Sequence, residues 1–261
     1  MRDRMDPKLS DVIAMARGAG EILRAGYGQE IQVDHKGVID PVTDIDRQSE
    51  AYIIDAIRRR FPSHRIVTEE SGELHGEDSQ VWYIDPLDGT VNFAHGVPLF
   101  AVSLAYVEGD EVVLGAVYTP LQDECYYAQR GQGAWLDGRS LRVSLVEELS
   151  QSLLVTGFPY NVWNTPLNNL DQFTRFTLRS QGVRRLGSAA LDLCYVAAGR
   201  LDGYWEVQIE PWDIAAGALI VQEAGGMVTK KDGDSDYLSP PFSVLAANPR
   251  LHAAMLEVLS G

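Results

Sequence analysis

At 261 residues, 45% of them hydrophobic and 23% charged, the chain has the size and balance of a globular protein with one large core or two joined lobes. Its 37 acidic residues outweigh 22 basic ones, giving a formal net charge of −15; with no basic cluster beyond Arg58-Arg59-Arg60, this argues against wrapping nucleic acid. No apolar run reaches membrane-span length, MRDRMDPKLSD at the N-terminus lacks the centre of a signal peptide, and Cys125 and Cys194 lack metal-type spacing, so a reduced cytoplasmic protein is expected.

Apolar residues at Leu9, Val12, Ile13, Ala16, Ala19, Ile22 and Leu23 recur with helical period, which predicts a helix over 7–27 closed by Gly26 and Gly28. A short extended piece at 31–33 and a Lys36-Gly37 loop lead into DPVTDID (40–46). There Thr43 or Asp44 caps a helix running to about Arg60, with Ile45, Ala51, Ile53, Ile54 and Ile57 on its apolar face, and Pro62 stops it. A strand at 65–68 ends on Glu69-Glu70-Ser71-Gly72, and the polar ELHGEDSQ (73–80) reads as a loop. Next comes WYIDPLDGTVNFAHG (82–96). Its apolar lead-in, 81–84, ends at Asp85, and Pro86 forbids a paired central strand from continuing. Asp88-Gly89-Thr90 then reads as a turn running into a helix start.

Beyond Gly96 the texture becomes β, with strands expected at 99–107, 112–118 and 124–128 in an antiparallel meander. A strand at 152–156, a helix at 165–179, a short strand at 183–186 and a helix at 188–198 follow. Then come a strand at 201–207, a helix at 212–223, short strands at 227–229 and 243–246, and a last helix at 249–259. With no repeat, low-complexity tract or linker, the mixture predicts a layered α/β or α+β fold. We expect one domain over 1–261 with two closely joined lobes, roughly 1–150 and 151–261.

Acidic groups stand where these elements begin or end: Asp40, Asp44 and Asp46; Glu69-Glu70; Asp85 and Asp88; and Asp213. Singly, each has an ordinary explanation. Asp213 reads as a helix cap, Glu69-Glu70 as a solvated strand end, Asp46 as a helix-surface carboxylate, and Asp85 with Asp88 as caps of a tight turn. Gathered together without basic partners they would repel unless cations held them. The oxygen-rich set, with no His/Cys cluster, suits Mg²⁺ or Mn²⁺ rather than zinc.

DPVTDID at 40–46, TEES at 68–71, WYIDPLDGTVNF at 82–93, GSAALDL at 187–193 and GYWEVQIEPWDIAAG at 203–217 together resemble the inositol monophosphatase family over nearly the whole chain. The resemblance implies a layered α/β sandwich, a homodimer, Mg²⁺-dependent hydrolysis of small phosphate monoesters and inhibition by Li⁺. Residue by residue, it implies that Glu69, Asp85, the Leu87 carbonyl, Asp88 and Asp213 hold metal, with Asp85 bridging two ions. It implies that Asp46 supports the Thr90 hydroxyl and that Gly89 and Thr90 receive the phosphate on their N–H groups. Glu206 matches a contact to a hydroxyl of the leaving alcohol, and Asp213 is also counted with the substrate contacts. Ser188 and Ala189 begin the helix near which substrate sits, and a plain helix cap explains them equally well. The expected reaction is in-line attack on phosphorus by a cation-activated water positioned by Glu69 and Thr90.

Other residues receive ordinary roles: Glu70 behind Glu69, Cys125 and Cys194 in the core, His95 at the surface, and Arg184-Arg185 in a structural salt bridge. The expected substrate is myo-inositol 1-phosphate or a similar polyol phosphate. Histidinol phosphate, fructose 1,6-bisphosphate and a 3′-phosphonucleotide are the alternatives on the same fold, and a catalytically silent regulatory or scaffold protein is the non-enzymatic one.

Overall fold

The structure is a computed structural model that describes residues 6–29, 33–35 and 41–260. The N-terminal stretch up to Met5, Ile31, the Lys36-Gly37 loop and Asp40 lie outside the described residues. In chain order the first elements are α1 (Leu9–Gly26), β1 (Val33–His35), β2 (Pro41–Thr43), α2 (Asp44–Arg60), β3 (His64–Thr68), β4 (Gly72–Leu74), β5 (Glu77–Asp88) and α3 (Thr90–Ala94). A β run follows: β6 (Ala101–Glu108), β7 (Glu111–Thr119), β8 (Glu124–Gln129), β9 (Ala134–Leu136), β10 (Arg139–Ser140) and β11 (Leu153–Thr156). The rest are α4 (Leu170–Thr177), β12 (Gly182–Arg184), α5 (Ala189–Ala197), β13 (Gly203–Glu206), α6 (Pro211–Glu223), β14 (Met227–Thr229), β15 (Val244–Ala247) and α7 (Pro249–Ser260).

Two mixed sheets organise these pieces. One has the order β10-β9-β8-β7-β6-β5-β3-β4, the other β12-β11-β13-β15-β14, and β1 and β2 form a small ribbon. Strand alternation shows what each face covers. On β6, Val102, Leu104 and Tyr106 pack with α1 and α2, while Ala101, Ala105 and Val107 share a core with α5 and α6. On β15, Val244 and Ala246 join that same central core, and Leu245 and Ala247 pack with Phe176 of α4 and Met255 of α7. The layers therefore run helix, sheet, helix, sheet, helix, with the nearly all-apolar α6 in the middle. A helix buried on every side needs an apolar surface all round, which Ile214–Val221 supplies. The small residues expected to allow close packing do so: a Cβ on Gly217 would lie 2.6 Å from that of Leu193 on α5. Among the described residues no helix is long and apolar enough to cross a membrane.

The periodic elements fall where expected, including both N-terminal helices and the β6–β8 meander. Three expectations are corrected. First, β5 does not stop before Pro86: it pairs with β6 at Asp85 opposite Ser103 and again at Asp88 opposite Ala101, with a register shift between. Proline has no N–H to give, so the ladder bulges around it instead of ending. Second, the polar 73–80 stretch is largely strand, because β4 and the start of β5 pair with β3 through main-chain bonds that ask nothing of their exposed side chains. Third, α4 starts at Leu170 rather than near 165. Asn169 sits in the left-handed region (φ 66°), and its buried amide donates to Thr156 Oγ1 (2.8 Å) and the Gly157 carbonyl (2.7 Å) while accepting from Trp205 Nε1 (2.7 Å). That knot keeps the preceding chain out of the helix.

Candidate active site

A cavity of about 390 Å³ opens between the end of β5, the head of α5, β13 and the head of α6. Glu69, Asp85, Leu87, Asp88, Gly89, Thr90, Ser188, Ala189, Glu206 and Asp213 all line it, so the structure brings nearly every expected site residue to one place. Asp46 stands directly behind, fully buried.

Local chemistry fixes the β5 end. Leu87 N–H donates to Asp85 Oδ1 (2.9 Å), and the Ser49 hydroxyl holds the Pro86 carbonyl (2.8 Å), so the bulge is tied from both sides. Gly89 then takes φ 95°, and a Cβ there would come within 2.9 Å of the Leu99 carbonyl oxygen; only glycine suits both demands. Gly89, not Asp88, is consequently the N-cap of the short α3. Thr90 Oγ1 lies 3.1 Å from Asp46 Oδ1 and 3.0 Å from the Leu87 carbonyl, so an acceptor takes its proton on the inner side. Asp46 is itself held in a capping box: Thr43 N–H donates to Oδ2 (2.9 Å), and the Thr43 hydroxyl bonds the same oxygen. Burial pushes the Asp46 carboxyl up from the ordinary aspartate range, against these bonds. The surface placement considered for Asp46 is thus corrected.

Asp88 reaches across to the other wall. It accepts from the Ser188 hydroxyl (2.5 Å), Ala189 N–H (3.1 Å) and Ala190 N–H (2.7 Å), capping α5 from a strand a hundred residues away. Ser188 is the N-cap by position but makes no capping bond of its own, since its hydroxyl serves Asp88. Asp213 is both a cap and a cavity group. It occupies the third position of α6, accepts from Glu210 N–H (3.1 Å) and lines the cavity.

The electrostatics are those of crowded acids. Burial and then Glu69, Asp88 and Asp213 hold the Asp85 carboxyl well above its usual range. Burial, Asp88 and Glu69 do the same to Asp213. Burial raises Asp88 to about 6 against its hydrogen bonds. Glu206 reaches about 7, chiefly through burial, although the Tyr204 hydroxyl donates to its Oε1 at 2.9 Å. Among the described residues, no three His, Cys, Asp or Glu side chains converge tightly enough to grip a metal ion as they stand. The lining nonetheless offers carboxylate and carbonyl oxygens and no histidine or cysteine, a donor set suited to a hard divalent cation.

Three neighbours were not singled out in the sequence. Buried Glu50 accepts from the Thr68 hydroxyl (2.7 Å), Glu70 N–H (3.2 Å), Ser71 N–H (3.0 Å) and the Ser71 hydroxyl (2.5 Å), and so shapes the turn that carries Glu69. The signal was present: Asp46, Glu50, Ile53 and Ile57 share one helical stripe, and a charge among its apolar members marks a buried role. Gln208 and Asp192 also line the cavity. So does Arg185, which makes no ion pair among the described residues, correcting the structural salt bridge expected for Arg184-Arg185. His95 is exposed and outside the cavity, and both cysteines are buried with free thiols, as expected.

Comparison with known proteins agrees with this fold. The sequence model of the inositol monophosphatase family matches residues 6–260. A protein named Nus factor SuhB from Pasteurella multocida is 45% identical over 97% of this chain and 96% of its own length. The crystal structure of the extragenic suppressor protein suhB from Bartonella henselae superposes with a TM-score of 0.90 at 39% identity, covering 96% of this chain and 97% of that one. An inositol monophosphatase from Anabaena gives a TM-score of 0.87 at 42% identity, covering 97% and 94%.

Proposed function

The chain belongs to the inositol monophosphatase family, and we propose that it hydrolyses a small phosphate monoester with Mg²⁺, the alcohol being a polyol such as myo-inositol. The observation that carries this reading is the meeting of Glu69, Asp85, Asp88 and Asp213 with Gly89 and Thr90 in one cavity. Glu69, Asp85, the Leu87 carbonyl, Asp88 and Asp213 would hold the cations, and Mn²⁺ suits the same oxygens. Bound there, the cations supply positive charge that offsets the phosphate and acidifies an attacking water.

The chain's own groups do the rest. Thr90 gives its proton inward, toward Asp46 or Leu87, and so turns a lone pair toward the cavity to orient the water, with Glu69 as second partner. The N–H groups of Gly89 and Thr90 receive phosphate oxygens. Ser188 and Ala189 flank the substrate, and Glu206 accepts a hydroxyl of the leaving alcohol. The resemblance further supports a homodimer and inhibition by Li⁺; cysteine usage supports a cytoplasmic setting, and chain length a single domain of two lobes over 1–150 and 151–261.

The test is phosphate release from myo-inositol 1-phosphate, histidinol phosphate, fructose 1,6-bisphosphate and 3′-phosphoadenosine 5′-phosphate, with Mg²⁺ and with EDTA. Metal-dependent release fastest from the inositol ester supports the reading; a faster alternative ester replaces the polyol. A second reading has one observation behind it: relatives at 43–45% identity carry the name Nus factor. In it the chain is a regulatory protein, with or without hydrolysis. Release from none of the esters would favour it.

A further inference from the structure

Helix α5 holds a carboxylate that the reading above leaves unused. Asp192 lies one turn into the helix, is 1% exposed and lines the cavity. Its N–H is satisfied by the Ser188 carbonyl (3.0 Å), but its Oδ1 has no hydrogen-bond partner among the described residues. Buried polar atoms are nearly always paired, so an orphan oxygen on a residue that lines a ligand cavity points to a partner met when the side chain turns toward a ligand.

The surroundings narrow that partner. The charges that act on Asp192 are Glu206 first, then Asp88, then Arg185, which lines the cavity with its side chain exposed. Neither of the two acids bonds that oxygen: Glu206 receives the Tyr204 hydroxyl, and Asp88 the head of α5. Burial, then Glu206 and Asp88, push the Asp192 carboxyl above the usual aspartate range; ionised it accepts and repels an anion, and neutral it still accepts through its carbonyl oxygen. A donor that both forms can receive is a better partner than the phosphate end of a monoester. A hydroxyl of the leaving alcohol fits.

We propose that Asp192 is a specificity-determining residue whose free carboxylate oxygen accepts a hydroxyl of the substrate's alcohol, beside Glu206. This rests on the hydrolytic reading. A site built to bond a substrate hydroxyl discriminates strongly against esters that lack one.

The experiment compares kcat/KM for myo-inositol 1-phosphate with that for p-nitrophenyl phosphate, whose leaving group carries no further hydroxyl, in wild type, Asp192→Ala and Asp192→Asn. The expected result is a fall in the inositol-to-nitrophenyl ratio of roughly tenfold in D192A, carried mainly by KM, and a smaller fall in D192N, which keeps an acceptor of lower strength. A ratio within about twofold of wild type in the folded variants, as an internal water or a purely structural carboxylate would give, overturns the proposal. Should D192A fail to fold, D192N decides alone by the same ratio. Wild-type protein that releases phosphate from neither ester, nor from the other esters of the panel above, defeats the hydrolytic reading itself, before any variant is made.

Discussion

The wall of the cavity that descends from β5 and the wall built from α5, β13 and the head of α6 are made by different means. On the β5 side every named polar group is tied, either close in the chain (Asp85 to Leu87, Thr90 to Leu87, Asp46 to Thr43) or to the neighbouring α2 (Thr90 to Asp46, Pro86 to Ser49). On the facing side Glu206 and Asp213 have local ties, to Tyr204 and Glu210, but the head of α5 is held from across the cavity and one acid is left incomplete. Asp88 reaches Ser188 and Ala190 over a hundred residues, and Asp192 has an oxygen with no partner. The first wall is rigid before any ligand arrives and suits chemistry that tolerates little displacement. The second leaves acceptors to be completed by whatever alcohol enters. Reaction and recognition are thus divided between the walls.

Substitutions on the two walls should then differ in kind. The largest effect is expected for Asp85→Asn: a loss of phosphate release of at least about a hundredfold, since a cation ligand is removed. Its melting temperature in EDTA should not fall, because one like charge leaves a crowded buried set. A parallel loss of stability would mean that Asp85 is structural. Next comes Glu50→Ala, which strands the donors of Thr68, Glu70 and Ser71. Activity should drop by about 10- to 100-fold, and denaturant unfolding should show a cost of about 1–3 kcal/mol.

On the facing wall, Gly157→Ala would place a Cβ 1.8 Å from Glu206 Oε1 and so displace that carboxylate. We expect KM for a polyol phosphate to rise roughly tenfold while kcat changes less, as steady-state kinetics would show. A fall in kcat alone would erase the division between the walls. The smallest effect belongs to Thr43→Ala, which removes the α2 cap and one bond to Asp46. About 1 kcal/mol of stability should go, with activity lowered only a few-fold.

The same contrast explains what could be read before the structure. Asp85, Asp88, Gly89 and Thr90 are contiguous, so their turn, their glycine and their acids were visible as one unit. Helices α1 and α2 announced themselves by period, and the β6–β8 meander by strand composition between turns. Asp192 did not, because a lone aspartate inside GSAALDL carries no sign that topology will aim it into a cavity. Gln208, just past β13, was hidden in the same way, while Arg185, just past β12, was visible as a charge but not as a cavity group. Glu50 was legible but overlooked, standing on the apolar stripe of α2. The capping of α5 by Asp88 lay beyond any reading of the sequence, since neither segment shows that the two will meet. β4 and the start of β5 escaped because exposed strands held by main-chain bonds leave no alternation in their side chains.

The measurement closest to the central claim is calorimetric titration of Mg²⁺ into EDTA-stripped protein, wild type against Asp213→Asn, with phosphate release followed over the same range. Asp213 joins the acids of the β5 wall from across the cavity, so a cation site there depends on it. The account predicts saturable binding to wild type, binding weaker by about tenfold or more in the variant, and release that tracks occupancy. Undiminished binding in the variant, or release that survives EDTA, would contradict it.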